Sequence, residues 1–212
     1  MNLDLTTLDA YCREAGVDGY LVDADGEDAT QRDLSGFDAP DPYVTLYVRD
    51  GVAEGEGGST HLLVSALEYG RAAEESRGDS VERGSAYDAQ RLVEEYGQHE
   101  GSDRAVAAFC RAHGVESVAM PERAPLGPAE GLREQDIDVT VDRDDRVERV
   151  RAVKTETEIA HIREAQKANE RAMARAEELL REATVEEGVL HHDGEPLTSE
   201  RVRTEIEIAL LH

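Results

Sequence analysis

The sequence predicts an α/β fold, a mixed sheet with flanking helices over residues 1–145, followed by a charged linker at 146–154 and amphipathic helices over 155–212. Three observations predict it. A helix–Gly–Val–strand unit occurs twice, as CREAGVDGYLV from Cys12 and CRAHGVESVAM from Cys110, which is the helix-to-strand connection that α/β layers require. The strand-like runs PYVTLYVRDG and THLLVSAL enclose the glycine-rich VAEGEGGST, short enough for a hairpin, and a hairpin makes the sheet mixed rather than parallel. The composition then shifts near residue 143 into the charged DRDDRVERVRAVKTETEIAHI.

In chain order, Thr7 can cap a first helix whose buried side is Leu8, Tyr11, Cys12 and Ala15, with Gly16 as its left-handed stop. VDGYLVDA follows as a strand, then the hairpin. SALEYGRAAEESRGDSVERG reads as a strand end, a helix and a short strand around Val81. SDRAVAAFCRAHG is a capped helix with Val106, Phe109 and Cys110 on one side, and PLGPAEGLREQ is a weaker one. DIDVTVDR alternates as a strand with Ile137, Val139 and Val141 facing in.

The late segment is better signalled. Thr155 and Glu158 fit the S/T-x-x-E capping box. From there Ile159, Ile162, Ala165, Ala172, Ala176, Leu179 and Leu180 recur at helical spacing. TSERVRTEIEIALL repeats the pattern with Val202, Ile206, Ala209 and Leu210. Two such apolar stripes call for a further layer or a second copy.

Charge narrows the function. Against 23 Lys+Arg stand 48 Asp+Glu, a formal net of −25, where small soluble domains carry a magnitude of about 2–8. The basic residues are Arg except for Lys154 and Lys167, so the Lys/Glu enrichment of hyperthermophiles is missing. The composition reads as adaptation to a salt-rich cytoplasm, and such a surface repels phosphate backbones, which excludes a nucleic-acid partner. The N-terminus MNLDLTTLDAYCREAG has acidic residues where a signal peptide needs basic ones. No apolar run approaches membrane-spanning length, so a cytoplasmic protein without membrane contact is expected.

No catalytic set emerges. Cys12 and Cys110 are the two cysteines and read as buried free thiols. The glycine-rich loop lacks the lysine of a phosphate cradle. His61, His99 and His113 stand apart in sequence without metal-ligand spacing. HHDGEP, with His191, His192 and Asp193, reads as a polar turn without a preorganised ligand set.

The stretch RAVKTETEIAHIREAQKAN resembles the junction segment of the creatinase/prolidase (Xaa-Pro peptidase) family, R-x-x-K-[ST]-x-x-E-I-x-x-[IL]-[RK]-x-A, at Arg151, Lys154, Thr155, Glu158, Ile159, Ile162, Arg163 and Ala165. DLSGF, Asp33 to Phe37, is similar to the family's YLTGF loop, with Asp33 departing from the usual aromatic. LTSERVRTEIE occupies the place of the family's second helix, G-x-T-E-x-E-[LI], more loosely, and VLHHDGEP before it looks like an insertion.

The resemblance implies a creatinase N-terminal-like domain of ribonuclease-H-like fold at 1–145 and the truncated helical start of a pita-bread catalytic domain at 155–212. It implies a metal-dependent Xaa-Pro dipeptidase or aminopeptidase acting on short proline-containing peptides as a homo-oligomer, with Arg32, Phe37 and Asp38 in the substrate cleft. In that family two divalent metals, Mn, Co or Zn, are held by two Asp, one His and two Glu located after the second helix. The sequence stops at His212, so catalytic and metal residues are expected beyond it and none within it. The alternative is a non-catalytic binding or scaffold module of the same fold.

Overall fold

The computed structural model describes residues 5–52, 57–144 and 146–211. The centre of the expected hairpin loop, 53–56, lies outside them. The chain divides into two compact units, Met1–Val153 and Lys154–His212.

The first unit is a six-stranded sheet between helices. Its strands are β1 (Gly19–Ala24), β2 (Tyr43–Val48), β3 (Ser59–Val64), β4 (Ser80–Arg83), β5 (Ser117–Pro121) and β6 (Asp138–Asp142), in the order β4-β3-β2-β1-β5-β6. β1, β2 and β3 form an antiparallel meander, while β4, β5 and β6 each join a neighbour in parallel. The sheet is therefore mixed, as the hairpin required. Side chains alternate across it with period two. Leu21, Leu46, Val48, Val118 and Met120 pack on one face with Phe109, Cys110 and Leu132. Tyr20, Val22, Tyr47 and Ala119 pack on the other with Leu8, Cys12, Leu34 and Val147.

Helix α1 (Thr6–Ala15) ends at Gly16 in the left-handed conformation, as expected. Its N-cap is Leu5, without a side-chain cap, and Thr7 lies inside the first turn. The connection to β1 closes on Asp18, whose carboxylate accepts from Glu116 N–H (3.1 Å), Ser117 N–H (3.1 Å) and Ser117 Oγ (2.8 Å). That ties the start of β1 to the start of β5. The remaining helices are α2 (Ala29–Ser35), α3 (Tyr69–Glu75), α4 (Ala89–Tyr96), α5 (Gln98–Ala112), α6 (Leu126–Glu134) and α7 (Arg146–Ala152).

Three local readings change. Ser102 does not cap a helix, because α5 begins at Gln98, directly after α4 and the positive-φ Gly97. The two helices meet so closely that a Cβ on Gly101 would lie 2.5 Å from Val93 Cα. Of the three residues expected to face in, only Ile137, just before β6, is fully buried, whereas Val141 is 40% exposed. β6 is an edge strand, and its inward anchor is Asp142, which accepts from Tyr20 Oη (3.2 Å) and Arg146 N–H (2.8 Å). Residues 146–152, read as linker, form α7, and Val147 on it is buried with Tyr11 and Tyr20.

In the second unit, α8 (Glu156–Glu182) opens on the expected capping box. Glu158 N–H donates to Thr155 Oγ1 (3.3 Å), and Thr155 N–H donates to the Glu158 carboxylate (2.8 Å). A small antiparallel sheet follows, β7 (Thr184–Glu186), β8 (Val189–His192) and β9 (Glu195–Pro196). Its two-residue turns, Glu187-Gly188 and Asp193-Gly194, have positive φ at both positions. That is the type I′ geometry matching strand twist, and the D-G pair is its usual sequence. Helix α9 (Ser199–Leu210) returns onto α8, where Ala172, Ala176 and Leu179 are buried and Arg175 pairs with Glu205 (2.9 Å). The two stripes thus partly cover each other. Ile162, Leu180 and Ile208 remain about half exposed. Among the described residues no helix is long and apolar enough to cross a membrane.

Candidate substrate cleft

A cleft in the first unit, beyond the end of β1, is lined by Asp25, Gly26, Glu27, Arg32, Asp38, Ala39, Pro40 and Arg71. Local chemistry builds each wall. Asp28 caps α2, accepting from Thr30 N–H and Gln31 N–H at 2.8 Å each. The buried Gln31 then bonds the carbonyl oxygen of Ala24 (3.1 Å), so α2 is pinned across the end of β1. Gly36, left-handed at φ 67°, ends the helix and turns the chain inward. Opposite, Gly26 N–H donates to Ala39 O at 2.8 Å and closes the floor.

The three residues that the resemblance assigned to a cleft separate here into two roles. Arg32 and Asp38 are exposed cleft-lining residues. The Arg32 guanidinium makes no ion pair or hydrogen bond among the described residues, which leaves its fork of donors available to a ligand anion. Phe37 is fully buried and lies against Tyr43, edge to face at 5.6 Å, whose hydroxyl donates to Phe37 O at 2.7 Å. It is a platform beneath the cleft and not part of its lining.

Sequence reading missed Arg71. Its guanidinium sits 5.3 Å above the Phe37 ring, donates to Asp38 O (3.2 Å), and is braced by Glu68 (2.8 Å), the N-cap of its own helix, and by Glu75 (3.2 Å) on that helix. An arginine 33 residues beyond Asp38 carries no local signal of this role. The cleft therefore presents two guanidiniums beside three carboxylates, a set able to receive both an anionic and a cationic group.

A second cleft is lined by Asp23, Gln98, His99, Ser102, Asp103 and Val106. Burial, and then the Asp103 carboxylate, push the Asp23 carboxyl above the usual range. Burial does the same to Asp103, opposed by His99.

Two histidines read as isolated are in contact. His61 on β3 stacks on His113, at the end of α5, with centroids 3.8 Å apart and planes at 25°. His113 Nε2 lies 2.8 Å from Glu82 of β4. The β3–β4 register, His61 opposite Ser80, and the ending of α5 create this contact. Burial, and then His113, push the His61 pKa down to about 4.

The HHDGEP segment is only partly the expected turn: Asp193-Gly194 turn, but His191 and His192 end β8, where His191 is half-buried and His192 is buried beside Glu182 and Asp193, both at 3.2 Å. Cys12 and Cys110 are buried free thiols, and burial pushes both up to about 12, so neither is a ready nucleophile.

No family model and no curated protein matches the sequence. Solved structures do match. The prolidase from Pyrococcus horikoshii OT3 superposes with a TM-score of 0.62 at 19% identity, covering 99% of this chain and 48% of that one. An Xaa-Pro dipeptidase from Bacillus anthracis gives 0.67 at 15% identity, covering 98% and 48%. The X-Pro aminopeptidase from Thermotoga maritima MSB8 gives 0.61 at 18% identity, covering 94% and 47%. The chain thus spans about half the length of these structures and has the fold of the N-terminal half of such peptidases, its six-stranded mixed sheet matching their N-terminal domain.

Proposed function

We propose that this chain is the substrate-cleft and dimerisation part of a metal-dependent Xaa-Pro dipeptidase or aminopeptidase of the cytoplasm. Residues 1–145 serve as its ribonuclease-H-like N-terminal domain and 155–212 as the first helices of its pita-bread catalytic domain. The observation that carries the reading is a fold likeness to three Xaa-Pro peptidases that extends over both units, covering 94–99% of this chain. The β1–β3 meander extended by parallel β5 and β6 supports the ribonuclease-H-like description.

The described residues of this chain do not assemble the family's two-metal centre. Among the described residues the second unit brings no three candidate ligands together, so no hydrolytic step is derived from this chain. Its own residues bind and orient. A short peptide is a zwitterion, and Arg32 and Arg71 suit its carboxylate while Asp25, Glu27 and Asp38 suit its ammonium. Phe37 keeps Arg71 in place from below.

Protein expressed from the complete reading frame hydrolyses Xaa-Pro dipeptides with Mn(II) in molar salt. In it, Arg32→Ala raises KM about tenfold, the loss of one charge-assisted bond of roughly 1.5 kcal/mol. No turnover on any of several Xaa-Pro substrates would overturn the peptidase reading in favour of a binding module. Turnover with KM unmoved by Arg32→Ala would remove Arg32 from the site.

A further inference from the structure

We propose that His61, Glu82 and His113 form a binding site for one divalent transition-metal ion, zinc(II) by preference, that clips edge strand β4 to the end of α5. A nitrogen from each histidine and a carboxylate oxygen of Glu82 lie within 4.8 Å of one another. They come from three elements, β3, β4 and the residue closing α5. Two imidazoles and one carboxylate suit zinc, leaving a fourth tetrahedral position for water. Calcium and magnesium favour all-oxygen sets and fit poorly.

Neighbouring groups already aim the three ligands, as outer-shell partners of metal sites do. Tyr87 Oη donates to one oxygen of the Glu82 carboxylate, which leaves the other, Oε1, facing the histidines. Ser59 Oγ lies 2.8 Å from His61 Nε2, so His61 can hold its proton there and turn the Nδ1 lone pair inward. The metal-free arrangement is a hydrogen-bonded form of the same site. Ser80 Oγ bridges His61 Nδ1 (2.8 Å) and Glu82 Oε1 (2.9 Å), and His113 Nε2 meets that oxygen at 2.8 Å.

An ion replaces the Ser80 bridge and takes Nδ1 of His61 and Nε2 of His113, a ligating imidazole being neutral with its one proton on the other ring nitrogen. Metal–nitrogen distances of about 2.0–2.1 Å require the stacked rings to open about their Cβ–Cγ bonds. Both coordinating nitrogens already lie on the Glu82 side.

The test uses the whole chain, stripped with chelator and titrated calorimetrically with zinc(II) alone. One equivalent should bind and raise Tm. Cobalt(II) in its place should show the intense visible bands of a four-coordinate ion. His113→Phe, which keeps a ring against His61 and Phe109 but removes the nitrogen, should weaken binding at least tenfold, as should Glu82→Gln. The double variant His191→Ala/His192→Ala should bind like wild type. The proposal is overturned if zinc fails to bind at 0.1 mM, if His113→Phe binds unchanged, or if the double variant alone loses the ion. These outcomes are independent of whether the parent protein is a peptidase.

Discussion

Replacing Gly26 by alanine tests the floor of the cleft. A Cβ built there would lie 2.4 Å from Asp38 Oδ1, 2.6 Å from Ala39 N and 2.8 Å from Ala39 O. Ordinary carbon–oxygen approaches are about 3.3–3.6 Å, so the 38–40 wall must retreat by close to 1 Å. The Asp38 carboxylate can swing aside, but the Ala39 backbone cannot. Overpacking of this kind costs about 1–3 kcal/mol, and a domain of this size loses about 2–4 °C of Tm per kcal/mol. Gly26→Ala should therefore melt roughly 2–12 °C below wild type. Its amide should exchange faster, because the 2.8 Å bond to Ala39 O is the contact being forced apart. Gly70→Ala is the matched control: it lies in α3 with nothing within 4 Å of the new methyl, and should leave stability unchanged or raise it by up to about 1 kcal/mol of helix propensity. Calorimetry and amide exchange on both variants decide the matter. A Gly26→Ala protein that melts with wild type and keeps its exchange protection refutes the close approach.

With a net charge of −25, Tm should rise between about 0.1 M and 2 M KCl as the Debye length shrinks from about 10 Å to 3 Å or less, and a flat or falling Tm ends the salt-adaptation reading. Leu179→Ala, at a position 1% exposed between α8 and α9, should cost about 2–5 kcal/mol within the second unit. Limited proteolysis should then cut there first, and cleavage starting in the first unit would contradict it. Asp23, an acid raised by burial and by Asp103, contributes stability that is present below its unfolded pKa and lost as pH rises through its folded pKa. Asp23→Asn should accordingly raise Tm at pH 7 and leave it nearly unchanged near pH 3, and a lower Tm at pH 7 would show that the carboxylate is stabilised.

The features legible in the sequence are those whose causes are local. Gly16 stops α1, the β2–β3 hairpin follows from two strand-like runs, and the Thr155–Glu158 box opens α8. Each depends on residues within a few positions of one another. The α4–α5 junction was hidden because Gly97 separates two helices without a cap side chain, and Ser102 three residues after His99 imitates one. β6 alternates as a buried strand does, but at the sheet edge Val141, on the face of Ile137 and Val139, is left exposed, while Asp142 on the other face is buried against Tyr20. In the candidate cleft, Arg32 and Asp38, which flank the DLSGF segment, are both lining residues. The bracing Arg71 and the His61–His113 pair depend on sheet register and helix placement over long sequence separations, which no spacing rule contains.

The position of β1 sets an order of events in folding. On one side it pairs with β2, whose partner Tyr43 lies about 20 residues from Ala24. On the other it pairs with β5, across a separation of 99 residues at Asp18 and Ser117. Closing the longer loop costs roughly 1.4 kcal/mol more, since each doubling of length adds about 0.6 kcal/mol. The β1–β2–β3 meander is therefore expected to form in the transition state, with β5 and β6 docking after the barrier. Stopped-flow measurements should find that Leu46→Ala mainly slows folding and Val118→Ala mainly speeds unfolding. The reverse partition would mean that the chain nucleates across its long connection, and that β1 waits for β5 before it accepts β2.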